Sequence, residues 1–322
     1  MKPAPIFTAG ITACSVMLLA ACSGSPNAGP TLPGSPASRL AAPDGFTLDG
    51  NSTSFFNGPQ SRLMRSLRAI PAKSKVEKDF FVSTTGPEVL IYSNKTYGET
   101  GELTNGLSAT DGVWVDKKGN IYVANVPTNV VEFKKSGSAP ICTYTGATDP
   151  INVTTDAKGN VYVVDFGAGS VDEYAQCSNT IEKQFQAEDV EGAAVDKSGD
   201  LFVAYGGGSL EEFKGGSTTG TPLGASVGEA AGLIIDKKGN LIADDQAGDI
   251  LVIDPPYSNA TVLVSGLSDP FHCSLNEKEK LLFNANSGSG DVTVYSYPSG
   301  SLEQTVNTSA AEGVGESPNA VF

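Results

Sequence analysis

The stretch "DGVWVDKKGNIYVAN" at 111–125 decides the fold, because variants of it recur along the chain. It returns as "PINVTTDAKGNVYVVD" at 150–165, "EGAAVDKSGDLFVAY" at 191–205 and "AGLIIDKKGNLIADD" at 231–245. The turn glycines Gly119, Gly159, Gly199 and Gly239 set a period of 40 residues. A fixed period of roughly 20–50 residues denotes an array of one supersecondary unit. Within one unit, 112–116 is a short apolar run and "KKGN" at 117–120 is a turn. Glycine supplies the positive φ such a turn requires, and Asn tolerates it. Residues 121–125, 130–133 and 141–144 read as three further strands rich in β-formers. Four short antiparallel strands with no helix-period stretch between them describe one propeller blade. A lone sheet of this size cannot bury both faces, whereas stacked blades bury them against one another.

Four full repeats start near 111, 150, 191 and 231. A fifth begins at Asp269 and is degenerate: Asn276 stands where the others carry Asp116, Asp156, Asp196 and Asp236, and "EKEK" at 277–280 replaces the glycine turn. Those aspartates suit a structural role, since a carboxylate entering a tight turn accepts its backbone N–H groups. At the ends, 80–83, 89–92 and 102–107 read as second, third and fourth strands without a first. "SPNAVF" at 317–322 reads as a first strand without a blade. Joined, they complete the set. The expected fold class is all-β: a six-bladed β-propeller of four-stranded antiparallel blades over 79–322. Pairing of the C-terminal strand into the N-terminal blade closes it and removes two exposed sheet edges.

The pattern G-x-x-x-D-x-x-G-N-(apolar)-Tyr-Val, as in "GNIYVAN…NVVEF" and "GNVYVVD…SVDEY", resembles the NHL repeat family. It departs from the WD40 pattern, since no Trp-Asp pair occurs and Trp114 is the only tryptophan. The NHL resemblance covers about three quarters of the chain. It implies a six-bladed ring with a central channel, in a family that includes both binding platforms and enzymes.

Ahead of the ring, Lys2 and the apolar run 11–21 have the length of a secretory signal rather than a spanning helix. Leu19-Ala20-Ala21-Cys22 resembles a bacterial lipobox. That implies a signal peptide at 1–21 and lipidation of Cys22, whose several acyl chains anchor firmly where one would bind reversibly. Residues 22–58, rich in Ser, Pro, Gly and Ala, read as a flexible tether. Residues 59–78 read as a short basic helix and linker, with Leu63, Met64, Leu67 and Ile70 on one face, Arg62, Arg65 and Arg68 on another, and Pro71 as the stop. The expected location is the bacterial cell envelope, lipid-anchored and facing the periplasm or the cell surface, with the membrane as one partner.

The whole chain carries a formal charge of −15. Residues 79–322 hold no arginine and 13 lysines against 33 Asp plus Glu, a net of −20. Such a ring repels nucleic acid and lacks guanidinium clamps for phosphate. It favours cations, basic peptides or neutral ligands. Of the five cysteines, Cys14 falls in the signal and Cys22 is the anchor. Cys142, on an outer strand, and Cys177, after the third strand of the next blade, are in position for a disulfide that export permits. Cys273 reads as a buried thiol on an inner strand.

His272 is the only histidine, which excludes a multi-histidine zinc site. There is no Gly-x-Ser-x-Gly elbow and no Walker loop, so no catalytic residue is expected. Asn125, Asp165, Tyr205 and Asp245 end second strands and read as turn caps on a loop face. Eight residues before each turn glycine stand Asp111, Ile151, Glu191 and Ala231, with Phe271 and Asn319 by extrapolation. The next position adds Asn152 and His272. The expected ligand or metal set at the channel mouth is therefore Asp111, Asn152, Glu191, His272 and Asn319. Propellers of the gluconolactonase and paraoxonase group hold calcium at that place and hydrolyse lactones, using oxygen ligands from several blades. Here Ile151, Ala231 and Phe271 interrupt the ring. The leading expectation is a lipid-anchored binding or scaffold module for an unidentified protein or small ligand, without cofactor and not an enzyme. The alternative is a calcium-dependent, lactonase-like hydrolase.

Overall fold

The structure, a computed structural model, describes residues 79–308 and 310–316. The signal segment, Cys22, the tether, the basic helix and residues 317–322 with Asn319 lie outside the described residues. Six four-stranded antiparallel sheets form the blades. Blade 2 consists of Thr110–Val115, Ile121–Asn125, Asn129–Phe133 and Pro140–Thr145, from the channel outwards. The inner strands of blades 3 to 6 are Pro150–Thr155, Val190–Val195, Ala230–Ile235 and Pro270–Leu275. Each touches the next inner strand, and the circle closes through Ala311–Glu316. That strand is the inner strand of blade 1 and pairs with Asp79–Thr84, setting Phe81 opposite Gly315.

Two boundaries differ from the sequence reading. The closing strand is Ala311–Glu316, not 317–322, because its "EGVGE" repeats the Glu-Gly start of "EGAAV" at 191–195. The outer strand of blade 1 is Glu99–Leu103, ahead of the expected 102–107, and the turn residues Asn105 and Gly106 follow it.

Each blade is held by its own turn chemistry. Asp116 Oδ1 accepts the amide N–H of Lys118 and of Asn120, each at 2.8 Å. Asp156, Asp196 and Asp236 do the same in blades 3 to 5. In blade 6 Asn276 takes over, accepting the Lys280 N–H at 2.9 Å. Between blades 2 and 3 lies a buried polar box around Glu132. Its Oε1 accepts from Tyr122 at 3.1 Å and Asn120 at 3.0 Å, and its Oε2 from Tyr144 at 2.7 Å. Beside it a disulfide joins Cys142 to Cys177, with Cα atoms 5.2 Å apart, and ties the two blades together.

The inner strands approach closely because glycine recurs at one register position: Gly112, Gly192, Gly232 and Gly313. A Cβ at Gly192 would stand 2.7 Å from the Ala231 carbonyl oxygen and 2.8 Å from the Leu233 nitrogen. Both are backbone atoms that cannot swing away, so Gly192→Ala is expected to cost about 1–3 kcal/mol by overpacking. Gly207→Ala, where an added Cβ meets nothing within 4 Å, should be near neutral. Urea unfolding midpoints of the two variants check this contrast.

Candidate functional site: an acidic channel mouth

Strands alternate in direction, so the turns within each blade divide between two faces of the ring. The turns joining strands one to two and three to four lie on one face. The remaining turns and the blade-to-blade links lie on the other. Twelve of the 13 lysines in 79–322 fall in turns of the first face, and the thirteenth, Lys183, is in the outer strand Ile181–Gln186. Among the described residues, the opposite face carries no lysine or arginine. It carries instead two tiers of carboxylates around the channel. Asp149, Asp189, Glu229 and Asp269 recur every 40 residues in the links. Asp111, Glu191 and Glu312 stand at the starts of inner strands.

The structure therefore gathers Asp111, Asn152, Glu191 and His272 at one mouth, with Glu312 in the blade 1 position expected for Asn319. Asn152 is satisfied locally, its Oδ1 accepting the Val153 N–H at 2.8 Å. His272 is only 4% exposed, yet neither ring nitrogen reaches a hydrogen-bond partner. It faces blade 1 at the position where blades 1, 2, 4 and 5 carry glycine, and its Nδ1 lies 3.9 Å from Asp111 Oδ1. Burial pushes its pKa down to about 3, against a weaker opposing pull from the Glu312 backbone. The ring is neutral at neutral pH, so this approach is not an ion pair.

The carboxylates move the other way. Burial first, then repulsion from Glu312, Asp149 and Glu191, pushes Asp111 well above the usual carboxylate range, with the Gly112 amide pulling it back. Burial, Asp189 and Glu229 push Glu191 up to about 7. Burial and Asp269 raise Glu312. In each case burial is the larger cause, and the neighbouring carboxylates add to it.

No family model and no curated protein matches the sequence. Among solved structures, a chain of the crystal structure of a nidogen/laminin complex is similar at 16% identity and a TM-score of 0.63, over 74% of this chain and 97% of that one. This chain is a six-bladed β-propeller. The likeness establishes the fold and nothing about ligands.

Below the propeller's mouth the channel is filled. Trp114 reaches from blade 2 across the axis, its Nε1 donating to Thr155 Oγ1 at 2.9 Å. It packs against Val153 on one side and Ile234 and Cys273 on the other. A small void above it is lined by Asn152, Gly232 and His272. The second-strand ends are scaffold. Asn125 Oδ1 accepts the Ser108 N–H at 2.7 Å, Asp165 Oδ1 that of Asp149 at 2.8 Å, and Asp245 Oδ1 that of Glu229 at 2.9 Å. They fix the links that present the carboxylates. Tyr205 is held by Glu211, its hydroxyl donating at 2.7 Å. The glycines at 206–208 make a tight turn whose Gly208 N–H donates to the Tyr205 carbonyl at 2.7 Å.

Among the described residues, three ligand atoms close enough for one metal ion occur at Glu132, Cys142 and Cys177, whose sulfurs are already bonded to each other. The mouth carboxylates stand on separate blades and do not converge in that way.

Proposed function

We propose that this chain is an exported, lipid-anchored propeller that acts as a binding or scaffold module, and that the lysine-free face around the channel mouth is its working surface. The lipobox-like Leu19-Ala20-Ala21-Cys22 and the tether that follows support display outside the cytoplasm. The NHL-like repeat supports a platform role without fixing a ligand. One observation carries the reading. Asp111, Glu191, Glu312 and His272 are brought to one opening, and Asp111 Oδ1 and both His272 nitrogens are left without a protein partner. Buried polar groups are ordinarily satisfied, so unmet ones at an opening point to a ligand. The architecture accommodates protein partners, as the nidogen/laminin complex illustrates for its own chain. A calcium-dependent hydrolase has less support, because among the described residues the ligand atoms of three acidic or histidine side chains do not converge at the mouth.

Site-specific photocrosslinking tests the reading in the full lipidated chain within its envelope. A crosslinker at Gly207, on the proposed face, should give a discrete adduct. One at Lys118, exposed on the opposite face, should not. Equal labelling from both positions would remove the assignment of the face. A melting temperature lowered by EDTA would return the calcium reading.

A further inference from the structure

The chemistry of the mouth narrows its occupant, and this step rests on reading that face as the binding surface. We propose that the mouth takes a cationic nitrogen group on a flexible chain, such as the ammonium end of a lysine side chain in a basic protein segment. The inner carboxylates Asp111 and Glu312 stand on adjacent blades, and Glu191 stands across the channel. The outer tier of Asp149, Asp189, Glu229 and Asp269 forms an acidic approach to them. A small divalent ion needs several oxygens within about 2.6 Å of one point. Carboxylates spread over several blades suit instead a chain that touches them in turn.

His272 is the second, independent pointer. It is an almost wholly buried imidazole at the floor of the mouth, neutral, with two unpartnered nitrogens and one of them directed at Asp111. A neutral imidazole offers one lone pair, which accepts an N–H from an ammonium group that Asp111 also binds. Asp111 keeps 20% of its side chain exposed, while its Oδ1 and both His272 nitrogens are buried, so an ammonium group reaches them by displacing the side chains at the mouth. The lysine-free face would steer such a segment toward the mouth before contact.

The test uses the full chain in detergent, with Trp114, the only tryptophan and a neighbour of the void below His272, as reporter. Octalysine, spermidine, octaglutamate and calcium chloride are titrated separately at low salt. Octalysine should change Trp114 fluorescence saturably, with affinity falling several-fold at higher salt. Spermidine distinguishes the source. Octalysine binding with weak spermidine binding identifies a peptide segment, and spermidine binding as tightly as octalysine identifies a free polyamine; either supports an ammonium site. The double variant Asp111→Asn with Glu312→Gln should weaken octalysine at least tenfold, and Glu279→Gln on the opposite face should leave it unchanged. His272→Gln, which keeps an acceptor, should bind more tightly than His272→Leu. Circular dichroism melts confirm that each variant is folded. Equal octalysine affinity in the double variant, or saturable calcium binding without octalysine binding, overturns the proposal. A Gly207 adduct that persists in that double variant would overturn it while leaving the binding-module reading standing.

Discussion

Removing residues 311–322 should abolish the cooperative fold of the ring. Among the described residues, Ala311–Glu316 is the one inner strand not supplied by the hairpin next to it in sequence, and it pairs with Asp79–Thr84 from the other end of the described chain. It also contacts the inner strands of blades 2 and 6, so its loss breaks three interfaces at once. Phe80 and Val82, which pack with Val314 and Ala311, would be exposed, and the edge of Asp79–Thr84 would be left unpaired. In a stacked array each blade depends on its neighbours, so the damage is not confined to blade 1. The expected loss is comparable with the whole stability of a domain, about 5–15 kcal/mol. Near-ultraviolet circular dichroism and urea titration check it. The truncated chain should lack a cooperative transition, and an unchanged midpoint would show that the ring does not depend on this strand.

The misplacement of this strand shows how far the sequence could be read. Blades 2 to 5 announce themselves through Gly119, Gly159, Gly199 and Gly239, because a positive-φ turn leaves a local mark in the chain. The closing strand has no such glycine turn in its sequence, only the Glu312–Gly313 pair that matches Glu191–Gly192, so turn signals alone point to the segment after it. At the mouth, Asp111, Glu191 and His272 were legible from position in the repeat. Glu312 was missed through that shift. The outer tier carried a usable signal, since Asp149, Asp189, Glu229 and Asp269 hold the same 40-residue step. The position of Trp114 was not legible, because what fills a channel depends on residues from opposite blades rather than on any local pattern.

Replacing Asp244 by alanine should stabilise the ring, and the gain should appear only as pH rises. Asp244 lies in the second strand of blade 5, Leu241–Asp245, fully buried, and neither carboxylate oxygen reaches a hydrogen-bond partner at bonding geometry. Blades 2, 4 and 6 place Ala124, Ala204 and Ala285 at the equivalent point, so the packing already accepts alanine there. Burial raises its pKa to about 7, tempered by the thiol and amide of Cys273. Below the ordinary value of 3.8 the carboxyl is protonated in both folded and unfolded chains, and its pKa shift costs nothing. Between 3.8 and about 7 the unfolded chain releases the proton while the ring retains it, so stability falls as pH rises. Above about 7 the penalty is complete, and the shift converts to about 4 kcal/mol. Urea unfolding of Asp244→Ala should therefore show a gain approaching about 4 kcal/mol at pH 8 that shrinks below about 1 kcal/mol near pH 4. Glu316 supplies an internal control. Burial pushes it up to about 9 despite the amide of Asn94, so the variant should still lose stability as pH rises toward 9. A gain that is the same at every pH would mean that Asp244 is disfavoured by its shape rather than by its charge.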